Sequence, residues 1–264
     1  MSDMQLMGQS VKHKVFGKGV VTEQENHVVT VTFSQGEKRF LYPDAFEKFL
    51  TLSDETAAER IDTVLQKREE EQKAELQALL EEQERQQKIH NFKVSVNSQA
   101  VFALEVEGQD ALQTWQVTTG TYLSGSAKGE PRIPEKMKPN SACVLTYRKD
   151  GAPEAERKIV GVFMVPEDFF GDECADGVIA AHPQYRLAIQ PGQEPLFWEY
   201  FGESGSKPRW GNTDFKYCSN HTVQRLLFDL LEQRKETEDA EMMENFYSYF
   251  CSQNKLQGPP QERK

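Results

Sequence analysis

The sequence has few cysteines, no long apolar run and no excess of basic charge. Its four cysteines, Cys143, Cys174, Cys218 and Cys251, are far apart, whereas a disulfide framework needs closely spaced cysteines in a secreted chain. No stretch reaches the about 18 consecutive apolar residues of a membrane span. The first residues lack the basic region and apolar run of a secretory signal. We therefore expect a cytoplasmic protein with buried thiols and no membrane partner.

Basic charge is scarce for a protein that would bind duplex DNA. The net charge is −11, and acidic residues outnumber basic ones most strongly between residues 54 and 90. Proteins that grip DNA mainly through its phosphates are usually basic overall. A role in nucleic-acid binding would therefore depend on a local patch or on a single flipped base.

Motifs for catalysis and for metal or nucleotide binding are missing as well. The sequence has no Walker or Rossmann pattern and no G-x-S-x-G. The local thiol–imidazole pairs, Cys174 with His182 and Cys218 with His221, are of the kind that arises by chance. Cys218 and His221 have ligand-like spacing, but no second pair would complete a zinc site. The sequence predicts no enzymatic activity, no metal and no cofactor.

Short strands between residues 10 and 50 predict a small β-rich domain over residues 1–52. The expected strands are Val11–Val15, Val20–Glu23, His27–Phe33 and Lys38–Leu41. The expected turns are Gly17-Lys18-Gly19, Glu25-Asn26 and Gln35-Gly36. Pro43 would begin a short helical turn. Strands this short and this closely spaced are typical of an SH3-like barrel.

The same segments carry a family resemblance. They read V-K-H-K-V-F-G-K-G-V-V from Val11, V-T-V-T-F from Val29, G-E-K-R-F from Gly36 and P-D-A-F from Pro43. In this order and spacing they resemble the Tudor-like C-terminal domain of UvrD-type helicases, and they are similar to the RNA polymerase-interacting domain of CarD-type transcription factors. The resemblance implies a protein partner such as RNA polymerase or a helicase. We expect the motif's apolar residues to be mainly core: Phe16, Val20, Val31, Phe33, Phe40 and Phe46.

Residues 53–90 predict one long charged helix. They contain no Gly or Pro and are rich in strong helix formers, with Ser53 as the expected N-cap. Such a helix would be about 54 Å long. A heptad seam through Ala58, Leu65, Gln72 and Leu79 is too polar for a strong coiled coil. We expect a solvated spacer, or a helix lying on a partner, rather than an autonomous dimer.

Residues 91–235 predict a larger α+β domain, and residues 236–264 a further helix and a disordered tail. The expected strands are Phe92–Val96, Ala100–Val106, Thr114–Thr119, Ser141–Tyr147, Lys158–Met164 and Tyr185–Ile189. An amphipathic helix is expected from Thr222 to Arg234. In the last helix, Met242, Phe246, Tyr249 and Phe250 would face inward, and the tail would begin at Gln257.

The hairpin from Asn140 to Val165, followed by Phe169-Phe170-Gly171-Asp172, resembles the PUA-like superfamily and, within it, the EVE and ASCH groups. Pro139-Asn140 stands where those domains usually have glycine and aspartate. The overall expectation is an α+β protein in which an SH3-like barrel and a long charged helix precede a PUA-like mixed β-barrel with C-terminal helices.

The PUA-like resemblance implies a concave pocket that reads a base by stacking and by edge hydrogen bonds. Aromatic residues of the domain would stack on the base, and polar ones would contact its edge or a phosphate. The candidate ligand-binding residues are Trp115, Thr118, Thr119, Tyr122, Arg157, Trp198, Trp210, Asn212 and Tyr217. The alternative for each aromatic residue is a place in the core.

These patterns together predict a non-enzymatic adaptor. Its barrel would dock on the transcription or DNA-repair machinery, and its large domain would bind a nucleic-acid feature such as a flipped or modified base. Two alternatives stay open: a purely protein-binding scaffold, and an enzyme acting on a nucleotide or small molecule in the large-domain pocket.

Overall fold

The computed structural model describes residues 6–25, 27–104, 109–202 and 205–260 of a mixed α+β protein. The chain divides into two compact units, Met1–Glu84 and Arg85–Lys264, which we call the N-terminal unit and the large unit. Within the described residues, every helix is too short or too polar to span a membrane.

The N-terminal unit contains a five-stranded antiparallel sheet and the beginning of the long helix. Its elements are β1 (Ser10–His13), β2 (Gly17–Glu25), β3 (Val28–Phe33), β4 (Gly36–Leu41), α1 (Asp44–Lys48) and β5 (Leu50–Leu52). The strand order is β4-β3-β2-β1-β5, with every pairing antiparallel. The four predicted strands are present, although Asn26 of one predicted turn lies outside the described residues.

The core of the N-terminal unit contains most of the predicted motif residues. Val31 and Phe33 are buried, and Phe16, Phe40 and Phe46 pack against the core. The expectation for Val20 was wrong. Its side chain is 43% exposed, because the alternation of β2 turns the next residue, Val21, inward instead.

The long helix α2 spans Glu55–Asn91, as expected, but its cap is not Ser53. The carboxylate of Asp54 accepts hydrogen bonds from the Thr56 hydroxyl at 2.6 Å and from the Ala57 N–H at 2.7 Å. These two bonds lower the pKa of Asp54. Ser53 is still part of the sheet, because its N–H bonds to the carbonyl of Ser10.

The two ends of the predicted heptad seam have different surroundings. Ala57 and Ile61, in the first turns, are buried in the core of the N-terminal unit, and Leu65 packs against it. Further along the helix, Leu76 and Leu79 are more than half exposed. This part of the helix is solvated, in agreement with the polar seam.

The large unit is built on a five-stranded mixed sheet with strand order β11-β9-β8-β6-β12. Its strands are β6 (Gln99–Leu104), β7 (Gln116–Thr118), β8 (Ala142–Tyr147), β9 (Lys158–Met164), β10 (Val178–Ala180), β11 (Arg186–Ala188) and β12 (Phe215–Cys218). Its other helices are α3 (Gln109–Thr114), α4 (Phe197–Phe201), α5 (Asn220–Arg234) and α6 (Ala240–Asn254). Strands β6 and β8 are parallel, the other pairs are antiparallel, and β7 and β10 form a separate pair.

Two of the predicted strands differ from the observed elements. Phe92–Val96 is not a strand, because the residues after α2 join no ladder. Thr114 ends α3 rather than beginning a strand, and Trp115, with φ of +53°, separates that helix from β7. Residues 105 and 106 of a third predicted strand lie outside the described residues.

The large sheet packs a hydrophobic cluster on each face. Val101, Val144 and Val162 belong to the cluster that also contains helices α5 and α6. Their strand neighbours, including Phe102, Leu145 and Phe163, belong to the opposite cluster. In α6, Phe246 and Phe250 are buried as expected, whereas Met242 and Tyr249 are only partly buried. The carbonyl of Gly258, in the predicted tail, accepts a hydrogen bond from Gln224, and residues 261–264 lie outside the described part.

Candidate functional site

A cavity of about 650 Å³ in the large unit brings together three of the nine predicted site residues, Arg157, Trp210 and Asn212. We call it the Trp210 cavity. Its volume lies in the range of small-molecule and cofactor sites. The other lining residues are Ala103, Leu104, Leu123, Arg148, Asp150, Thr213 and Asp214.

An ion-pair cluster fixes one wall of the Trp210 cavity. Arg157, only 5% exposed, pairs with both carboxylate oxygens of Glu154, and its third nitrogen donates to the Thr146 hydroxyl at 3.3 Å. Arg148 also pairs with Glu154, at 2.9 Å between Nε and Oε2. Because Glu154 neutralises part of this positive charge, the two arginines offer oriented N–H donors more than a strong anion site.

Trp210 is held by the protein's own groups. Its indole N–H donates to the carbonyl of Thr213 at 2.6 Å, and only 7% of its surface is exposed. The Arg157 guanidinium lies 4.6 Å from a ring centroid of the indole, and the Lys216 ammonium lies 4.9 Å from it. These cation–π contacts occupy ring surface that a stacked base would need. These contacts leave less of the indole surface for base stacking.

The open part of the cavity has balanced charge. Asn212 and Asp214 are exposed, as is Leu123 in the loop of residues 120–132. Asp150 and Asp214 offset Arg148 and Arg157 in the lining. Such a lining provides hydrogen-bond donors and acceptors close together, which suits the edge of a neutral heterocycle better than a phosphate.

Two further predicted residues, Trp198 and Tyr217, line a different cavity of about 430 Å³, which we call the Trp198 cavity. The Trp198 indole N–H donates to the carbonyl of Glu154 at 2.6 Å, and Phe197 meets its ring edge-on. The Tyr217 hydroxyl accepts a hydrogen bond from the Lys136 N–H at 3.4 Å. Burial raises the pKa of Tyr217, so this hydroxyl stays protonated at neutral pH.

The remaining four predicted residues lie outside both cavities. Trp115 packs edge-on against Phe163, in the cluster on the face of the sheet opposite to Trp210. Thr119 is fully buried and donates its hydroxyl to the carbonyl of Arg132 at 2.6 Å. Thr118 pairs with β10, and the backbone of Tyr122 bonds within its own loop. The structure therefore does not bring Trp115, Trp198 and Trp210 into one pocket.

Sequence reasoning missed Lys216 and Arg225, although one signal was available for Lys216. In β12, alternation places Phe215 and Tyr217 on one face and Lys216 and Cys218 on the other. A lysine on the same inward face as a partly buried cysteine is unusual, because lysine side chains are rarely buried. Arg225 gave no such signal, because its position depends on Tyr200, a partner distant in sequence.

In the ranges that the structure describes, no group of three His, Cys, Asp or Glu side chains is arranged so that it could hold a metal ion. Comparison of the chain with protein-family models, with curated proteins and with solved structures found no match. The proposals below therefore depend on the geometry of the sites and on the resemblances in the sequence.

Proposed function

We propose that this protein is a non-enzymatic adaptor. Its N-terminal unit, an SH3- or Tudor-like module, docks on a protein of the transcription or DNA-repair machinery. Its large unit, a PUA-like module, binds a nucleic-acid feature in the Trp210 cavity, with an exposed or flipped base as the recognised group.

The observation that carries this proposal is the composition of the Trp210 cavity. Oriented donors from Arg148 and Arg157 lie in the same cavity as the Asn212 amide and the Asp214 carboxylate. A base edge presents donors and acceptors in a similarly mixed pattern. The nearly balanced lining also agrees with the net charge of −11, because neither supports binding through many phosphates.

The surface of the N-terminal unit supports the docking half of the proposal. Strand β4 is at an edge of its sheet, and its last residue, Leu41, is 64% exposed. Val15 and Phe49 are also exposed apolar residues of this unit. An open sheet edge with exposed apolar side chains is a common docking surface for another protein.

The test is titration of the full chain with single-stranded, duplex and base-modified oligonucleotides at low salt. We expect Asn212→Ala to weaken binding by about tenfold, because one bidentate base contact contributes about 1–3 kcal/mol. The matched control is Asn97→Ala, an exposed asparagine outside the cavity lining. Absence of binding by the wild type, or equal effects of the two variants, would contradict the base-binding role.

A second candidate function, a purely protein-binding scaffold, is favoured by the contacts of Trp210. Arg157 and Lys216 cover ring surface that base stacking would use. Pull-down of RNA polymerase or a UvrD-type helicase by the full chain tests the docking half. Leu41→Glu should abolish capture, whereas Leu79→Glu, on the solvated part of α2, should not. Capture together with no oligonucleotide binding would favour the scaffold over the adaptor.

A further inference from the structure

The Trp198 cavity differs from the Trp210 cavity in its charge. Its lining contains two cationic side chains, Lys216 and Arg225, and no carboxylate among the described residues. The other lining residues are Val101, Phe197, Trp198, Tyr200, Phe201, Gly202, Tyr217, Cys218, Ser219 and Thr222. In a chain with a net charge of −11, a cavity whose described lining residues carry only cationic charge requires a specific explanation.

Lys216 forms no direct ion pair with a carboxylate of the described residues. Its ammonium lies over the Trp210 ring, and within the described part of the chain no carboxylate comes within ion-pair distance of it. Burial lowers the pKa of Lys216, the charge of the Glu154 carboxylate partly offsets this, and the charge of Arg157 adds a smaller lowering. A partly desolvated ammonium without a carboxylate in direct contact is available to an anionic group that enters the cavity.

Contacts with Tyr200 hold Arg225 in position but do not use all of its guanidinium N–H donors. One guanidinium nitrogen donates to the carbonyl of Tyr200 at 2.9 Å, and the guanidinium lies 5.3 Å from the Tyr200 ring centroid. The carboxylate of Asp229 accepts the Tyr200 hydroxyl at 2.9 Å and is not part of the cavity lining. A guanidinium has five N–H donors, so the remaining ones can bind a second anionic oxygen.

The N-terminus of helix α5 borders this cavity but does not make the site. The Ser219 hydroxyl caps the helix by accepting the Thr222 N–H at 3.1 Å, and the two hydroxyls are 2.9 Å apart. Anion recognition therefore rests on Lys216 and Arg225. The hydroxyls of Ser219 and Thr222 are available as additional hydrogen-bond partners.

The aromatic part of the lining restricts the class of anion. Trp198 and Phe201 are partly buried and line the same cavity as the two cations, whereas the ring of Tyr217 packs on the opposite face of the sheet. A small inorganic anion would leave these rings without contact, whereas a planar ring joined to the anionic group would contact them. A volume of about 430 Å³ is within the range for a small organic ligand.

We propose that the Trp198 cavity is a second binding site, specific for a planar ring that carries a phosphate, as in a nucleoside monophosphate. Lys216 and Arg225 hold the phosphate, and the aromatic residues contact the ring. This chemistry occurs in a free nucleotide and at the phosphorylated end of a nucleic acid. The proposal does not depend on base binding in the Trp210 cavity.

Calorimetric titration of the full wild-type chain tests this site without any variant. The probes are adenosine 5′-monophosphate, adenosine and inorganic phosphate. We expect the nucleotide to bind at least about tenfold more tightly than either part alone, because the parts lose the charged or the stacking contacts. Failure of the nucleotide to bind at millimolar concentration, or equal binding of adenosine, would overturn the proposal.

Two variants assign the binding to the cavity. Lys216→Gln should weaken nucleotide binding by about tenfold, and Lys216→Arg should retain most of it. The matched control is Lys158→Gln, because Lys158 lines another cavity, of about 450 Å³, where it pairs with Glu194. Unchanged affinity in Lys216→Gln, with a wild-type circular dichroism spectrum, would overturn the assignment. If Lys216→Gln does not fold, an equal loss of affinity in Lys216→Arg and Lys158→Gln would overturn it.

A further titration distinguishes the two sources of the ligand. It also distinguishes binding at this site from binding in the Trp210 cavity. The wild type is titrated with one oligonucleotide in 5′-phosphorylated and unphosphorylated forms. Tighter binding of the phosphorylated form, sensitive to Lys216→Gln but not to Asn212→Ala, supports a phosphorylated end at this site. Preference for the free nucleotide supports a metabolite. Binding that requires Asn212 and ignores both the phosphate and Lys216 would support only the adaptor function and overturn this inference.

Discussion

The two units differ in what they bury. In the described part of the N-terminal unit, the buried polar side chains are those of His13 and Thr30, within an otherwise apolar core. The large unit buries a neutral amide network around Asn140 and Asn254 and a charged cluster around Arg157. Arg157 lines the Trp210 cavity, and Trp198 of the Trp198 cavity bonds to the backbone of Glu154 in the same charged cluster. The motif residues of the N-terminal unit therefore form mainly its structural core. In the large unit, by contrast, polar and charged side chains are buried next to the candidate site.

The contacts of His13 show what the histidine of the N-terminal motif does in the fold. Its Nδ1 accepts hydrogen bonds from the N–H groups of Val15 at 3.0 Å and Phe16 at 3.2 Å, and its ring stacks on Phe16. The imidazole therefore holds the turn that follows β1 and joins the aromatic core. Its role in this unit is structural.

The strongest test of this comparison concerns the apolar core of the N-terminal unit. Ile61→Ala should lower the free energy of unfolding by about 2–5 kcal/mol, because it leaves a cavity in a closely packed core. Leu79→Ala, a matched change on the same helix, should alter it by less than about 0.5 kcal/mol because Leu79 is 54% exposed. Urea denaturation measures both. Similar values would mean that the two parts of α2 do not differ as described.

Much of the fold could be predicted, because periodicity reports which face of an element is buried. The strands around His27–Phe33 and Lys158–Met164 and the helices α2, α5 and α6 were all predicted. The expectations for Phe92–Val96 and Val20 were wrong. A run of β-formers joins a sheet only if a partner edge is available, and an inward face depends on where the strand begins.

Less of the candidate site could be predicted. Arg157, Trp210 and Asn212 converge, but alternation along the sheet places Trp115 on the opposite face. A sequence identifies residues that are able to stack on a base or to donate hydrogen bonds. It does not show whether another side chain of the protein already contacts the same ring or bonds to the same donor. The contacts of Trp210 with Arg157 and Lys216 connect residues from three separate segments and leave no local pattern.

A second test addresses the amide network of the large unit. Asn254 accepts hydrogen bonds from Gln99 at 3.0 Å and from Asn140 at 2.8 Å, and it donates to the carbonyl of Asn140 at 2.9 Å. Asn254→Ala should cost about 1–3 kcal/mol of unfolding free energy, because buried partners lose their hydrogen bonds. Asn245→Ala, an exposed change on the same helix, is the control. Equal losses of stability in the two variants, measured by thermal denaturation, would show that the network does not stabilise the position of α6.

The third test asks whether His13 is structural. His13→Phe keeps an aromatic ring but removes the acceptor for two N–H groups. Because water can reach the turn and replace part of this interaction, the expected loss is about 1 kcal/mol. Protein partner capture should be unchanged. The exposed His90→Phe is the control in denaturant unfolding, and loss of capture by a folded His13→Phe would assign this residue a binding role.

The last test concerns two thiols of the large unit, Cys143 and Cys218, and depends on pH. Burial raises the pKa of Cys143 and of Cys218 above the ordinary value of 9.0. Below about pH 9 both thiols are protonated in the folded and the unfolded chain. Above it the unfolded chain loses protons that the folded chain keeps, so stability should fall as the pH rises. The fall between about pH 8 and about pH 10, measured by urea denaturation, should be smaller in Cys143→Ala than in the wild type. An identical pH dependence would mean that Cys143 ionises as readily in the folded chain as in the unfolded one.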